Sequence, residues 1–226
     1  MSNLFLRGWN WCRRFRHRCG YGVHSPSDFF LITFVVYERL PFYAYSLLHA
    51  KRQDVARLSH YREKVDRLLF RLVNYLQPAA MLEVGTGSGL SARYMAEAKH
   101  VPLCTLDGGE CCEEVIRLLT DCPQVDYRCG DVPQLLHRYV EEHGCPDIVH
   151  IAFTPYYKEV FEALLPAVSS HTCFLIGSPY ATKEKREWWK QVISDPRTGV
   201  TFDLYDVGLV FFDKKRVKEH RIVNFL

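Results

Sequence analysis

The 226-residue sequence has no apolar run near the length of a membrane span. The longest run near its start is Phe29 to Tyr37, closed by Asp28 and Glu38, whereas a span needs about 20 residues. No secretory signal is expected, because Leu4-Phe5-Leu6 is a short apolar core with arginines after it. No Cys-x-x-Cys pair occurs, and the nine cysteines are an odd number. They are therefore expected to be reduced thiols in a cytoplasmic protein, the adjacent Cys111 and Cys112 among them. Cys12, His17, Cys19 and His24 match no common zinc spacing. Internal repeats and low-complexity tracts are absent. So is any acid in the first 27 residues. Residues 1–60 hold nine Lys/Arg against three acids, or +6, and the remainder is −3.

What is present suits one sizeable folded unit. The chain is 48% hydrophobic, 14% aromatic and 24% charged, which excludes a disordered protein. Residues 4–18 are expected to be helical. Gly20 to Pro26 form a turn-rich break. Ser27 and Asp28 can cap a second helix running to about Arg39. Residues 52–77 are expected as one long helix, with Val65, Leu68, Leu69, Leu72, Val73 and Leu76 forming an apolar stripe.

Strands then alternate with helices. Strands are expected at 80–84, 101–106, 125–128, 147–153 and 172–176. Helices are expected at 88–98, 110–120, 132–143, 156–165 and 182–194. Strands 200–205 and 209–212 are joined too closely for a crossover helix and should form an antiparallel hairpin. Five β-α units and a hairpin imply an α/β fold, a mostly parallel sheet with helices on both faces. Ligands on such sheets sit beyond the carboxyl ends of the strands.

The first of those ends reads Glu83-Val84-Gly85-Thr86-Gly87-Ser88-Gly89-Leu90-Ser91. Glycines allow a tight turn and close backbone approach, and the helix that follows offers free N–H groups. A dinucleotide fingerprint wants its third glycine where Leu90 stands, which disfavours a nicotinamide-dependent oxidoreductase. The acid two residues before the first glycine suits a ligand with an ammonium group. The second strand ends in Asp107, 18 residues after Gly89, and a carboxylate there can accept from both ribose hydroxyls. The third leads to Gly130-Asp131-Val132, where Asp131 is also a helix N-cap candidate.

These three loops resemble the class I S-adenosylmethionine-dependent methyltransferases, over about residues 60–226. The resemblance implies a Rossmann-like methyltransferase sheet with S-adenosylmethionine as cofactor. Glu83 would face the methionine amino group, usually through water. Gly85, Thr86, Gly87, Ser88 and Gly89 would lie along the cofactor. Asp107 and Gly108 would hold the ribose, and Asp131 and the Val132 N–H the adenine. More narrowly, Gly20-Tyr21-Gly22-Val23-His24-Ser25-Pro26 and Gly208-Leu209-Val210-Phe211-Phe212 are similar to a bacterial methyltransferase group found mainly in Bacteroidetes.

The pattern departs from its relatives in two loops. Metal-dependent catechol-type enzymes carry an Asp after the fourth strand and an Asp-Asn pair after the fifth. Here Ala152 and Gly177-Ser178-Pro179-Tyr180 stand in those places. A hard divalent cation needs several oxygen ligands, so no catalytic metal is expected. Phe153-Thr154-Pro155-Tyr156-Tyr157 lacks the amide or carboxylate of the amino-methylating subtypes. Methyl transfer needs alignment and water exclusion more than protein chemistry. Any general base would come from His24, His150, Tyr156 or Tyr157. His150 also reads as a satisfied core residue, and the two tyrosines as pocket walls. His24, Tyr156 and Tyr157 are the candidate substrate residues.

Residues 1–59 are expected to form an N-terminal helical cap and 60–226 the cofactor-binding domain. The expected activity is metal-independent methyl transfer to an oxygen or nitrogen of a small-molecule acceptor. Arg13, Arg14, Arg16 and Arg18 with Trp9, Trp11 and Phe15 leave open an RNA or protein methyltransferase that docks through the cap. An amphipathic helix docked on the body with solvated arginines, or a homodimer contact, is the favoured reading of that segment. A third possibility is a non-catalytic protein that keeps the cofactor loops. Trp188 and Trp189 are adjacent and are not expected to face inward together.

Overall fold

The computed structural model describes residues 4–226. Helices α1 (Leu4–Arg13), α2 (Pro26–Phe30), α3 (Tyr45–Asp54) and α4 (Glu63–Leu76) precede β1 (Met81–Val84). Then come α5 (Leu90–Ala98), β2 (Leu103–Gly108), α6 (Glu113–Leu119), β3 (Val125–Gly130), α7 (Val132–His143) and β4 (Ile148–Ile151). The chain continues through α8 (Tyr157–Leu164), β5 (Cys173–Gly177), α9 (Lys183–Ser194), β6 (Thr201–Asp203), β7 (Val207–Phe211) and β8 (His220–Ile222).

The eight strands form one sheet in the order β3-β2-β1-β4-β5-β7-β6-β8. The first five are mutually parallel, and β7 is antiparallel to both β5 and β6. The expected hairpin is present, and the sheet is mostly parallel as expected. Strand β8, parallel to β6, was not foreseen. Its three residues are mostly exposed and carry no apolar alternation.

The central strands feed two cores, because successive side chains point to opposite faces. Met81, Leu103, Ile148 and Leu175 join the cluster under α4 and α5. Leu82, Leu106, Val149 and Phe174 join the cluster under α7, α8 and α9. On α4, Val65, Leu68, Leu69, Leu72 and Val73 are fully buried as the stripe requires, each removal from water contributing roughly 1.5–3 kcal/mol.

Four local expectations are corrected. The long helix over 52–77 is two helices, α3 and α4, with residues 55–62 running as a non-helical strap. Arg52 holds the break: its guanidinium reaches the buried Asp66 carboxylate at 2.5 Å and the Tyr61 carbonyl at 2.7 Å. The second helix starts at Ser25, whose hydroxyl accepts from the Asp28 N–H, and passes into a wider π-helical turn over Leu31–Val36. Trp188 and Trp189 are both buried. Trp189 packs on the sheet, against the backbone at Gly208, while Trp188 fits between Tyr157 and Phe161 of α8. Finally, Cys111 is disulfide-bonded to Cys129, which overturns the all-thiol reading; seven cysteines are free.

The N-terminal segment docks on the body with Arg13, Arg16 and Arg18 exposed as expected, but the side it turns inward differs from expectation. Arg7 and Arg14 turn inward onto Asp206 and Asp203, whereas Trp9, Trp11 and Phe15 stay exposed. The β6–β7 turn offers the carboxylates of Asp203 and Asp206 and the ring of Tyr205, stacked on Tyr180 from the loop after β5. Guanidinium groups suit that surface better than indoles.

Candidate functional site at the carboxyl ends of the strands

The glycine-rich loop after β1 is held from below. Glu83 is 0% exposed. Its carboxylate accepts from Ser91 Oγ at 2.5 Å, from Thr105 Oγ1 at 2.8 Å, and pairs with His150 Nδ1 at 2.8 Å. The other ring nitrogen of His150 meets the Tyr61 hydroxyl at 3.3 Å. The Glu83 carboxylate, expected to face an amino group through water, lies beneath the loop among these partners. A buried carboxylate requires internal partners, and Glu83 spends its oxygens anchoring the loop to β2, β4 and α5. His150 is the satisfied core histidine of the two readings.

The loop itself winds through positive φ at Gly85, Gly87 and Gly89. A Cβ at Gly85 would lie 2.5 Å from the Phe153 backbone, and one at Gly87 would lie 2.7 Å from the Ser59 carbonyl. Thr86 is buried, sharing a 2.7 Å hydroxyl contact with Thr105. The Ser88 N–H donates to the Ser59 carbonyl at 2.9 Å. Thus the strap and the loop after β4 lie directly on this end of the site. The residues before α4, which sequence pattern assigned to a helix, supply a wall of the site.

The other half is open. Asp107, the penultimate residue of β2, is half-buried and accepts from the N–H groups of Gly108 and Gly87. Burial holds its carboxyl above the usual aspartate range despite those bonds. Gly108 and Gly109 have nothing within 4 Å of a built Cβ. Opposite, Gly130 pairs in register with Gly108. Asp131 caps α7 by accepting from the Gln134 N–H at 2.9 Å. The Val132 N–H follows at the first helical position, where no intrahelical carbonyl can take it. Asp107, Gly108, Asp131 and Val132 thus meet across adjacent strand ends. The Cys111–Cys129 disulfide, 5.3 Å between Cα atoms, ties the two loops together there. No spacing motif announced that pair.

Of the candidate substrate residues, Tyr157 lines a cavity of about 520 Å³ between the loops after β4 and β5. Tyr156 caps α8 beside it, with its N–H on Thr154 Oγ1. His24 is exposed and is not brought to this cavity. Its turn lies toward the β8 edge, where the neighbouring Asp28 pairs with Arg216 and Arg221. Among the described residues no group of three or more His, Cys, Asp or Glu could hold a metal ion. No described helix is long and apolar enough to cross a membrane.

No protein-family model and no curated protein matches the sequence. Solved structures do match its fold. An O-methyltransferase from Bacillus cereus in complex with SAH superposes with a TM-score of 0.61 at 16% identity, covering 79% of this chain and 95% of that one. A methyltransferase from Geobacter sulfurreducens gives 0.59 at 16% identity, covering 77% and 92%. TomG from Streptomyces achromogenes, an O-methyltransferase involved in tomaymycin synthesis and solved with SAM, gives 0.57 at 16% identity, covering 76% and 91%.

Proposed function

We propose that the chain is an S-adenosylmethionine-dependent methyltransferase that acts without a metal on an oxygen or nitrogen of a small-molecule acceptor. The observation that carries this reading is the meeting of Asp107, Gly108, Asp131 and Val132 with the glycine loop over three adjacent parallel strands. A nucleoside fits this donor set. The Asp107 carboxylate suits two ribose hydroxyls, Asp131 an exocyclic amino group, and the Val132 N–H a ring nitrogen. The open approach at Gly108 and Gly109 leaves room for a ribose. Bound, the cofactor supplies an activated methyl group. Glu83 acts as a positioning residue, through Ser91 and Thr105. Residues 1–59 serve as the cap on the acceptor side, with the strap excluding water.

Calorimetry of S-adenosylhomocysteine, S-adenosylmethionine and NADH on the wild type and Asp107→Ala tests the cofactor assignment. Micromolar binding of the methionine-derived pair is expected. Loss of the charged acceptor should weaken it by about tenfold or more. Because burial raises the Asp107 pKa, wild-type affinity should start to fall on acidification above the usual aspartate range. Binding of NADH alone, or of none of the three, would overturn the assignment.

A further inference from the structure

The 520 Å³ cavity between the loops after β4 and β5 contains a charge that nothing described so far uses. Lys185, in the first turn of α9, is only 6% exposed and lines it. Its Nζ donates to the Gly177 carbonyl at 2.7 Å and stands 5.2 Å from the centre of the Tyr157 ring. Among the described residues it forms no ion pair with a carboxylate. The charged groups around it are accounted for: on α8, Lys158 pairs with Glu184 of α9, and Glu159 is exposed at the rim. Tyr157 contributes its ring face.

A lysine ammonium has three donors, and one carbonyl leaves it undersupplied. Burying a cation without a counter-charge is costly. The cost is visible in Lys185, whose pKa burial pushes down to about 8. At neutral pH the group is still mostly an ammonium. Two independent features add positive potential or strain at the same place. The positive end of α9 faces the cavity through Thr182, whose hydroxyl accepts the Lys185 backbone N–H at 3.0 Å. Ser178, also on the wall, holds a φ of +47°, which is uncommon for a non-glycine residue. The rest of the wall combines apolar and aromatic groups, Ala152, Phe153 and Tyr157 among them, with the Lys158–Glu184 pair and Glu159.

We infer that this cavity binds a small aromatic carboxylate, with Lys185 as the counter-ion of the carboxylate and Phe153 and Tyr157 against the ring. The site names the acceptor class for the proposed methyltransferase and rests on that reading only in calling the ligand an acceptor. Binding itself requires neither cofactor nor turnover. Lys185 acts here as a binding residue that fixes which end of the ligand lies deep in the cavity.

Benzoate and its neutral analogue benzamide, titrated calorimetrically into the full chain below and above pH 8, test the site. Benzoate should bind on the acid side of the Lys185 titration and at least tenfold more weakly on the alkaline side, where the amine is neutral. Benzamide should bind at least tenfold more weakly than benzoate at neutral pH. Lys185→Met should weaken benzoate binding by at least tenfold and abolish its dependence on that titration. The wild-type pH series stands even if the variant folds poorly. Absence of benzoate binding, equal binding of benzamide, or benzoate affinity that neither pH nor Lys185→Met changes would overturn the inference. Parallel titration with S-adenosylhomocysteine separates the two readings. If benzoate passes and the nucleoside fails, the carboxylate site survives and the methyltransferase assignment falls. The converse result removes the carboxylate site alone.

Discussion

Arg14 and Asp203 form a two-pronged ion pair, with Nη1 to Oδ1 at 2.9 Å and Nη2 to Oδ2 at 3.1 Å. The guanidinium lies near the rings of both Tyr180 and Tyr205, and the Tyr180 hydroxyl donates to the same carboxylate. One bond pattern thus joins α1, the loop after β5 and the β6–β7 turn.

Asp203→Ala should accordingly destabilise the protein by about 3–5 kcal/mol, because it leaves the Arg14 charge buried and unpaired. Burial pushes the Asp203 carboxyl up, but Arg14, the Tyr180 hydroxyl and the Tyr205 N–H together hold it below the usual aspartate range. A depressed pKa contributes stability that is present above the unfolded value of about 3.9 and is lost as pH falls through the lower folded value. Urea titrations from neutral to acid pH should therefore show wild type and variant converging in that acid window. A variant within about 0.5 kcal/mol of wild type at neutral pH would mean that α1 docks by other contacts.

Reduction of the Cys111–Cys129 disulfide should lower stability and loosen the nucleoside half of the site together. Closing a loop of this separation, 18 residues, is worth about 3 kcal/mol in the chain-entropy picture. For a chain of this size that corresponds to a thermal midpoint lower by roughly 6–12 °C. The bond joins the segment after Asp107 to the strand leading to Asp131. S-adenosylhomocysteine should therefore bind more weakly after treatment with dithiothreitol, and Cys111→Ser should behave like the reduced protein in either buffer. Equal affinity in both redox states would show that the two loops hold their spacing without the bridge.

The sheet was legible because strand and helix periods differ and each β-α unit repeats them. Only β8 escaped, since a three-residue edge strand with exposed polar residues carries no period. The open half of the site was legible for a related reason: Asp107 and Asp131 each follow a strand directly, and parallel topology delivers both to one end. Three features depended on tertiary partners and left no local trace. The motif gives no sign that the Glu83 carboxylate is also held by His150, from a strand more than sixty residues away. The strap at 55–62 reads as helix in the sequence; Arg52 and the glycine loop, rather than its own residues, hold it in a non-helical turn. The inward turn of Arg7 and Arg14 was missed because apolar patterning rewards burying Trp9 and Phe15 instead. It cannot register that Asp203 and Asp206 wait on the body for Arg14 and Arg7. Lys185 was invisible for the opposite reason. A lysine in the first turn of a helix reads as a solvated charge, and only the cavity beside it shows otherwise.

Two glycines separate the demands of packing from those of a ligand. Gly85, at φ +94°, touches the Phe153 backbone, and neither backbone can move without disrupting the β1–β4 pairing. Gly85→Ala should therefore cost about 3 kcal/mol or more, from the left-handed conformation and the backbone clash together. Gly108 lies at the open end of β2, with no positive φ and free space around its Cβ position. Gly108→Ala should leave unfolding within about 0.5 kcal/mol of wild type. If a ribose comes to rest beside Asp107, the added methyl will occupy its approach, and S-adenosylhomocysteine affinity should drop in Gly108→Ala while stability does not. Thermal unfolding and calorimetry on the same samples read both quantities. A Gly108→Ala protein that keeps wild-type affinity would place the ligand away from the end of β2.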